Sequence, residues 1–222
     1  MKKIVILGSG GNCVDILETL LDINDARGEK LYECVGFLDD RLDKIGTSFC
    51  DVKVLGPLEK ARDLPDCFFI FGIGSTANFW RRQEILSRTR IPDERFEKLV
   101  HPTASVSRMS QIGTGTVVLQ HVTINNNAKI GKHVYILPNT VISHNDAIGD
   151  FSCIAGSVSI SGNVHIGHSC YVGAGSSIRE GLMIGDNCLI GMGSIVLKDV
   201  PENSVMVGNP ARFLRNTRSA ES

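Results

Sequence analysis

Branched aliphatic residues recur at every sixth position in the second half of the chain. Seventeen consecutive positions of this kind, from Val100 to Val196, hold valine or isoleucine with no insertion. A period of six fits neither an α-helix nor an open sheet with alternating faces. It is typical of short parallel strands wound into a coil, in which each aliphatic side chain stacks on the one a turn below. The pattern therefore predicts a parallel β-helix from residue 100 onward.

Two further positions of the repeat agree with a coil. Glycine often follows the aliphatic residue directly, as at Gly113, Gly131 and Gly167, where a corner needs backbone freedom or room. Four positions after the aliphatic residue the side chain is usually small. The aliphatic residues and these small residues are both expected to point inward. With three six-residue faces per coil, the repeats make between five and six coils, and at about 4.8 Å per coil the prism is about 27 Å long.

The first hundred residues alternate strand and helix patterns. An apolar run at Ile4–Leu7 leads into a glycine-rich turn, and residues 14–23 then carry apolar side chains at helical spacing. A second apolar run stops at Asp39 and Asp40, and a third stops at Gly72 to Gly74. This alternation predicts a small parallel sheet of the Rossmann-like kind, with the polar loops together at the carboxyl ends of its strands.

These loops indicate a ligand site in the front part of the chain. Glycines allow backbone N–H groups to approach a phosphate, and a helix starting near Val14 presents its positive end. The dinucleotide fingerprint is incomplete, because Cys13 stands where its last glycine would be. Three interpretations stay open: a mononucleotide or nucleotide-sugar site, a dinucleotide site, and a purely structural turn.

Composition narrows the function further. The chain has 222 residues, 42% of them hydrophobic and 21% charged, and a net charge of −1. Basic residues are scattered, apart from a small group at Arg212, Arg215 and Arg218, so neither nucleic acid nor membrane insertion is expected. The seven cysteines lack the paired spacing of a zinc site and are expected to be free thiols in the cytoplasm, with no metal.

The order of short motifs along the chain resembles one family of enzymes. The chain looks like the hexapeptide-repeat sugar acetyltransferases that act on nucleotide-linked amino-deoxy sugars, and like the related sialic acid O-acetyltransferases. The matching segments are Gly8–Asn12, Gly36–Asp40, Gly72–Gly74, His101–Ala104, Ile142–His144, Ser161–Val164 and Gly208–Arg212. The resemblance implies a left-handed coil, a homotrimer, an α/β nucleotide-sugar domain at residues 1–99 and an acetyltransferase domain at residues 100–222.

The resemblance also implies which residues bind the two substrates. Acetyl-CoA is expected along the prism edge, and the nucleotide-linked sugar in the front loops. Family members often carry histidine where this chain has Asn12. The implied acetyl-CoA contacts are Gly162, Ala174, Met192, Gly208, Asn209, Pro210 and Arg212, and the implied nucleotide-sugar contacts are Gly10, Gly11, Asn12, Asp39, Asp40 and Gly74.

His144 matches the catalytic histidine of the family. An amine acceptor must lose a proton as it attacks a thioester, and a neutral imidazole, whose ordinary pKa is about 6.5, is suited to accept it. Direct attack needs no acyl-enzyme. Residues eighteen apart share a position on successive coils, so Gly162 is expected beside His144 with its N–H available to the carbonyl oxygen.

The residues after the histidine depart from the family pattern, which usually has an acidic residue next to it. Asn145 can fix the imidazole tautomer but supplies no charge. Asp146 falls at the inward position, where an unpaired carboxylate is costly. Either the coil bulges so that Asp146 meets an imidazole or a cation, or Asp146 is protonated. Both residues are candidate assistants of His144.

The leading hypothesis is an acetyl-CoA-dependent N-acetyltransferase acting on a nucleotide-linked 4-amino-4,6-dideoxyhexose in surface-polysaccharide or glycan synthesis. A sialic-acid-type O-acetyltransferase would use the same histidine. A non-catalytic trimeric scaffold would need only the coil. A nucleotide-dependent oxidoreductase would need the dinucleotide fingerprint, which is incomplete in this chain. The sequence does not identify the base or the sugar.

Overall fold

The computed structural model describes residues 1–217, so Arg218 and the four residues after it lie outside it. In the described range the front part forms a sheet with the strand order β3-β4-β2-β1-β5, in which only the β3–β4 pair is antiparallel. The strands are β1 (Lys2–Leu7), β2 (Tyr32–Leu38), β3 (Ser48–Phe49), β4 (Val52–Gly56) and β5 (Phe68–Phe71). The predicted small parallel sheet is confirmed, and the short β3–β4 hairpin was not predicted.

Helices cover the two faces of this sheet. The first, α1 (Gly11–Arg27), begins three residues before the predicted helix and buries Ile16, Leu17 and Leu20 against Ile4 and Ile6 of the sheet. The opposite face holds Val5, Leu7 and Phe69. The remaining helices of residues 1–217 are α2 (Arg82–Ser87) and four 3-10 turns, at Leu42–Lys44, Leu58–Asp63, Phe79–Arg81 and Asp93–Arg95.

The second part is a coil of two-residue strands, each of which ends on one of the repeated aliphatic residues. Residues 1–217 contain seventeen of these strands. They are β6 (Leu99–Val100), β7 (Ser105–Val106), β8 (Gln111–Ile112), β9 (Val117–Val118), β10 (Thr123–Ile124), β11 (Lys129–Ile130), β12 (Tyr135–Ile136), β13 (Val141–Ile142), β14 (Ala147–Ile148), β15 (Cys153–Ile154), β16 (Ser159–Ile160), β17 (His165–Ile166), β18 (Tyr171–Val172), β19 (Ser177–Ile178), β20 (Met183–Ile184), β21 (Leu189–Ile190) and β22 (Ile195–Val196).

The strands pair in parallel with partners eighteen residues away, which gives three faces. Face I contains β7, β10, β13, β16, β19 and β22, and face II contains β8, β11, β14, β17 and β20. Face III contains β6, β9, β12, β15, β18 and β21, and is extended by β23 (Ser204–Val207) and the antiparallel β24 (Arg212–Asn216). The coil is the left-handed β-helix that the family resemblance implied.

Both predicted sets of inward residues lie inside the prism. Ile136, Ile142 and Ile154 are fully buried, and so are Thr116 and Ser152 at the position four residues after an aliphatic residue. The glycine after the aliphatic residue provides room: a β-carbon on Gly113 would lie 2.5 Å from the carbonyl oxygen of Gly131. The left-handed backbone lies two residues later, mostly at asparagine, serine or glycine. Room, not backbone freedom, therefore explains those glycines.

Face III joins the two parts of the molecule. Its outward side chains are apolar, and Val117, Tyr135 and Cys153 share one buried cluster with α1. The Tyr135 hydroxyl donates a 2.9 Å hydrogen bond to the carbonyl of Asn12. The coil begins with β6 at Leu99, and Glu97 still pairs with the front sheet. Because the two parts share a core, the division at residues 99 and 100 stays a prediction.

Candidate active site and nucleotide pocket

The three polar loops of the front sheet surround one cavity at the carboxyl ends of its strands. This cavity has a volume of about 630 Å³. The nucleotide-sugar candidates Gly10, Gly11, Asn12, Asp39, Asp40 and Gly74 all line it, together with Ser9, Arg41, Asn78, Arg81 and Arg88, which sequence reasoning did not single out. The predicted convergence of these loops is therefore present in the structure.

The start of α1 faces this cavity. Gly10 is its N-cap and makes no side-chain cap, so the first N–H groups of the helix are open to a ligand. A β-carbon on Gly10 or Gly11 would meet no atom of residues 1–217 within 4 Å. Cys13 fills the space behind the turn, since a β-carbon on Gly8 would lie 2.8 Å from its Sγ. The thiol replaces the missing glycine of the fingerprint without blocking the cavity.

Asp39 is held by a network of hydrogen bonds at the edge of the cavity. Its Oδ2 accepts from the Ser9 hydroxyl at 2.6 Å and from Arg41 Nη2 at 3.1 Å, and its Oδ1 accepts from the Arg41 backbone N–H at 3.0 Å. Burial raises the pKa of Asp39, but the hydrogen bonds from Arg41 and Ser9 outweigh it and hold the pKa below its ordinary value. Asp39 is therefore an ionised acceptor at neutral pH.

Asp40 has a different set of partners. One oxygen accepts from the backbone N–H of Leu58 at 2.9 Å, and the other accepts from Arg88 at 2.6 Å. Arg41 and Arg88 thus each bring a guanidinium to the cavity beside a carboxylate. Arg41 stands directly after the acidic pair in the sequence, but the approach of Arg88 depends on long-range folding.

Asn12 and Gly74 connect the cavity to the coil. The Asn12 side-chain amide donates to the Gly74 carbonyl at 3.1 Å. A β-carbon on Gly74 would lie 3.0 Å from Arg82 Nε and 3.0 Å from Cys153 Sγ. Arg82 is 1% exposed and donates to the carbonyls of Ile73, His133 and Phe151 at 2.7 to 2.8 Å. These residues fix the pocket loop against the coil, so a ligand contact of Asn12 stays a prediction.

His144 lies on the edge of the prism between face I and face II, where its imidazole is exposed. A β-carbon on Gly162, one coil away, would lie 2.5 Å from Cε1 and 2.7 Å from Nε2 of this ring. The imidazole therefore packs on the bare α-carbon of Gly162, as the eighteen-residue spacing predicts. Among residues 1–217, neither Nε2 of His144 nor the N–H of Gly162 has a hydrogen-bond partner.

Asn145 contacts the histidine through its side-chain amide. Its Nδ2 lies 3.1 Å from His144 Nδ1 and donates to Oδ1 of Asn163 at 3.3 Å. The Asn145 Oδ1 accepts from Nδ2 of Asn127 at 3.2 Å. Asn127 and Asn163 were not singled out from the sequence, although both stand eighteen residues from Asn145.

Asp146 lies inside the coil and is 1% exposed. Its Oδ1 accepts the backbone N–H of Val164 at 2.9 Å, and its Oδ2 has no hydrogen-bond partner in the described part of the chain. Burial raises the pKa of Asp146 to about 6, although the N–H groups of Val164 and Ser143 and the nearby His144 oppose it. The strands around Asp146 keep their register, so of the two predicted alternatives the coil does not bulge.

The acetyl-CoA candidates are spread over two edges of one chain. Gly162 lies beside His144, whereas Ala174 and Met192 lie on the edge between face III and face I, where Met192 is 80% exposed. Gly208 bonds to the last coil through the Ser194 hydroxyl and the Ile195 N–H, and Asn209, Pro210 and Arg212 are exposed beyond it. One chain alone does not bring these residues together on one edge.

No helix in residues 1–217 is long and apolar enough to cross a membrane. The same residues contain no group of three histidine, cysteine, aspartate or glutamate side chains that could hold a metal ion.

Comparison with protein families places part of the coil in a known repeat class. Residues 163–198 match the model of the bacterial transferase hexapeptide, six repeats. The chain is also 28% identical over 121 residues to the UDP-N-acetylbacillosamine N-acetyltransferase of Bacillus subtilis (strain 168). That alignment covers 54% of this chain and 52% of the relative, so the chain spans about half the length of the curated relative it matches.

Solved structures with the same fold cover nearly the whole chain. The acetyltransferase domain of PglB from Neisseria gonorrhoeae FA1090 is similar with a TM-score of 0.82 at 22% identity, covering 96% of this chain and 100% of that one. PerB from Caulobacter crescentus, solved with CoA and GDP-perosamine, is similar with a TM-score of 0.81 at 24% identity, covering 97% and 98%. The described residues therefore have the fold of these acetyltransferases, with both the front sheet and the coil.

Proposed function

We propose that this chain, built from hexapeptide repeats of the bacterial transferase type, transfers the acetyl group of acetyl-CoA to the amine of a nucleotide-linked amino sugar. The observation that carries the proposal is the pairing of His144 with Gly162 at an open edge. The cavity of the front sheet supports it, because its helix N-terminus suits the diphosphate of a nucleotide sugar. The similar protein of Bacillus subtilis is a UDP-N-acetylbacillosamine N-acetyltransferase, and PerB was solved with CoA and GDP-perosamine.

The reaction is a direct acyl transfer. The amine nitrogen attacks the thioester carbonyl carbon while His144 Nε2 accepts the proton from the amine. Negative charge develops on the carbonyl oxygen, and the N–H of Gly162, which has no partner in the described range, can donate to it. The carbon–sulfur bond then breaks, and the thiolate of CoA takes up the proton from the imidazolium. No side chain of the enzyme is acylated.

A homotrimer completes the donor site in this proposal. Gly162 and the pair Ala174 and Met192 lie on different edges of one prism, and packing edge I–II of one protomer beside edge III–I of the next brings them to one seam. Acetyl-CoA is held there by backbone N–H groups and by the segment Gly208–Arg212. The acceptor sugar is a 4-amino-4,6-dideoxyhexose, the finer part of the proposal, and it comes from the sequence resemblance.

The test is release of free thiol from acetyl-CoA in the presence of UDP-, dTDP- or GDP-linked amino sugars. We expect one or more of these acceptors to support turnover and His144→Ala to lower kcat by about 100-fold or more, the usual contribution of a general base. His168→Ala is the matched control, since His168 is exposed on another edge and pairs with Asp186. It should retain full activity.

Two results would oppose the proposal. Thiol release that does not depend on an acceptor would indicate hydrolysis of acetyl-CoA. The chain would then be a hydrolase, or a scaffold with a weak hydrolytic activity. Release with a CMP-linked or free sialic acid, and none with an amine, would favour the O-acetyltransferase instead, because the same imidazole can deprotonate a hydroxyl.

A further inference from the structure

Three asparagines form a ladder along the edge that carries the histidine. Asn127, Asn145 and Asn163 occupy the same position on successive coils, with left-handed φ values of 59°, 61° and 61°. Their side-chain amides are joined by hydrogen bonds of 3.2 and 3.3 Å. The same position holds Met109 on the coil before and Gly181 on the coil after. Neither has an amide, so the ladder has three rungs and two free ends.

Such a ladder has two possible polarities. Each amide has one donor end and one acceptor end. In the structure Asn127 donates to Asn145, which donates to Asn163. Turning all three amides over by half a turn exchanges donors and acceptors and keeps both contacts. The ladder then runs from Asn163 to Asn127.

The polarity decides which atom of Asn145 faces His144. In the first polarity the Nδ2 of Asn145 donates to Nδ1 of His144, so a neutral imidazole carries its proton on Nε2. In the second polarity Oδ1 of Asn145 takes that place and accepts a proton from Nδ1. Only then does Nε2, the nitrogen with no partner among residues 1–217, have a free lone pair for the amine.

We propose that the ladder selects the tautomer of His144, and that the reactive state is the one in which Asn163 donates to Asn145 and Asn145 donates to Asn127. Asn127 and Asn163 are then positioning residues for a histidine that neither has to touch. The proposal rests on His144 being the general base of the proposed function. It gives this chain a device in place of the acidic neighbour that is usual in the family it resembles.

A carboxylate accepts hydrogen bonds and donates none, so an aspartate at one end fixes the polarity. In Asn127→Asp the amide nitrogen of Asn145 must turn toward the new carboxylate at residue 127. This turn places the Oδ1 of Asn145 against His144. In Asn163→Asp the amide nitrogen of Asn145 must turn toward the new carboxylate at residue 163. The Nδ2 of Asn145 then faces His144. Both variants add the same charge one coil away from Asn145. Asn187→Asp, at the equivalent left-handed position of the edge between face II and face III, which lies outside the proposed seam, controls for charge and backbone.

The first readout is the tautomer, measured by long-range ¹⁵N–¹H correlation NMR on full-length protein labelled in histidine. We expect His144 to carry its proton on Nδ1 in Asn127→Asp and on Nε2 in Asn163→Asp. This measurement needs no substrate, so it tests the ladder even if the proposed reaction is wrong. The same tautomer in both variants would overturn the proposal.

The second readout is kcat on the plateau of the pH profile, with acetyl-CoA and the amino sugar that the native protein accepts. Asn163→Asp should lower kcat by about tenfold or more, because the base at Nε2 is lost. Asn187→Asp should stay within about threefold of native, as expected for one added surface charge, and Asn127→Asp should keep a kcat about tenfold or more above that of Asn163→Asp. Different tautomers with equal kcat values in the two variants would also overturn the ladder proposal. The kcat of His144→Ala would then show whether the assignment of His144 as the general base fails as well.

Discussion

The contact between His144 and Gly162 is the residue-scale feature on which the chemistry depends. The ring occupies the place that a β-carbon of residue 162 would need, at 2.5 Å from Cε1. Glycine is required here for space, since its φ is not in the left-handed region. The eighteen-residue spacing was enough to predict this contact. The asparagine ladder has the same spacing, but only the structure showed that the amides bond to each other.

Gly162→Ala should therefore move the imidazole away from the edge. We expect kcat to fall by about 100-fold, because a displacement of about 1 Å of a catalytic group has such an effect. Since the ring is exposed and can turn outward, the free energy of unfolding should change by less than about 1 kcal/mol. Gly156→Ala is the control: Gly156 follows its aliphatic residue by the same two positions, and its added β-carbon would lie 3.2 Å from the Pro138 carbonyl. Native kcat in Gly162→Ala would contradict the assigned contact.

Asp146 shows how a buried carboxyl can fit a coil. At the equivalent inward positions, the hydroxyls of Thr116, Thr140 and Ser152 each donate to the carbonyl fifteen residues ahead and accept the N–H eighteen residues ahead. Asp146 makes the second of these contacts with Val164. The Oδ2 of Asp146 has no partner among residues 1–217, and only a protonated carboxyl could donate to the carbonyl fifteen residues ahead.

Stability should therefore depend on the protonation of Asp146. Its pKa is raised from 3.8 to about 6 in the folded protein, so its contribution is present below pH 4 and is lost as the pH rises through about 6. The difference corresponds to about 2 to 3 kcal/mol at most. Comparing urea unfolding of native protein and Asp146→Asn between pH 4 and pH 7 should show this loss in the native protein alone. Parallel pH curves would contradict it.

At the scale of elements, Arg82 ties α2 to two coils and to the pocket loop. Its guanidinium donates to the carbonyl of Ile73, in the loop that follows β5. It also donates to the carbonyls of His133 and Phe151, which lie at corners of the coil. It also lies 5.1 Å above the Phe71 ring. The sequence did not predict this contact, because an arginine at the start of a short helix is more often exposed. Only the packing of face III against the front part buries it.

Replacing Arg82 should loosen this junction. Arg82→Met leaves buried carbonyls without donors, so we expect the free energy of unfolding to fall by about 3 kcal/mol. Arg82→Lys should recover only part of this, since an ammonium lacks the planar fork. Arg81→Met, which removes a surface pair with Glu84, should change stability by less than about 1 kcal/mol. Urea denaturation checks all three, and an unchanged Arg82→Met would show that the guanidinium does not hold the junction.

At the scale of the whole molecule, the repeat predicted the coil almost completely. Each face of the prism takes six residues, so every sixth residue occupies the same inward position. Three faces make one coil, and residues eighteen apart therefore stack on each other. The join between coil and front sheet could not be predicted in the same way, because it depends on contacts such as Tyr135 with Asn12 and His101 with Asp22. A signal was present, however: the outward residues of face III, including Leu99, Val117 and Tyr135, are apolar.

The whole molecule also separates the nucleotide cavity from the histidine. The cavity is formed by loops of the front sheet, and His144 lies on an edge of the coil that the front sheet does not cover. A single chain therefore presents the two halves of the proposed reaction on different surfaces. We propose that assembly of protomers, the same arrangement that we propose for the separated acetyl-CoA candidates, brings the cavity and the histidine together.

The most direct test of acetyl transfer to an amine is the mass of the sugar product. Native protein is incubated with acetyl-CoA and the nucleotide-linked 4-amino-4,6-dideoxyhexose that best supports thiol release, and the nucleotide sugar is analysed by tandem mass spectrometry. We expect the nucleotide sugar to gain one acetyl group on its amine nitrogen, and this gain to be nearly absent with His144→Ala. An unmodified amine, or an acetyl group on a hydroxyl oxygen, would contradict the proposed reaction.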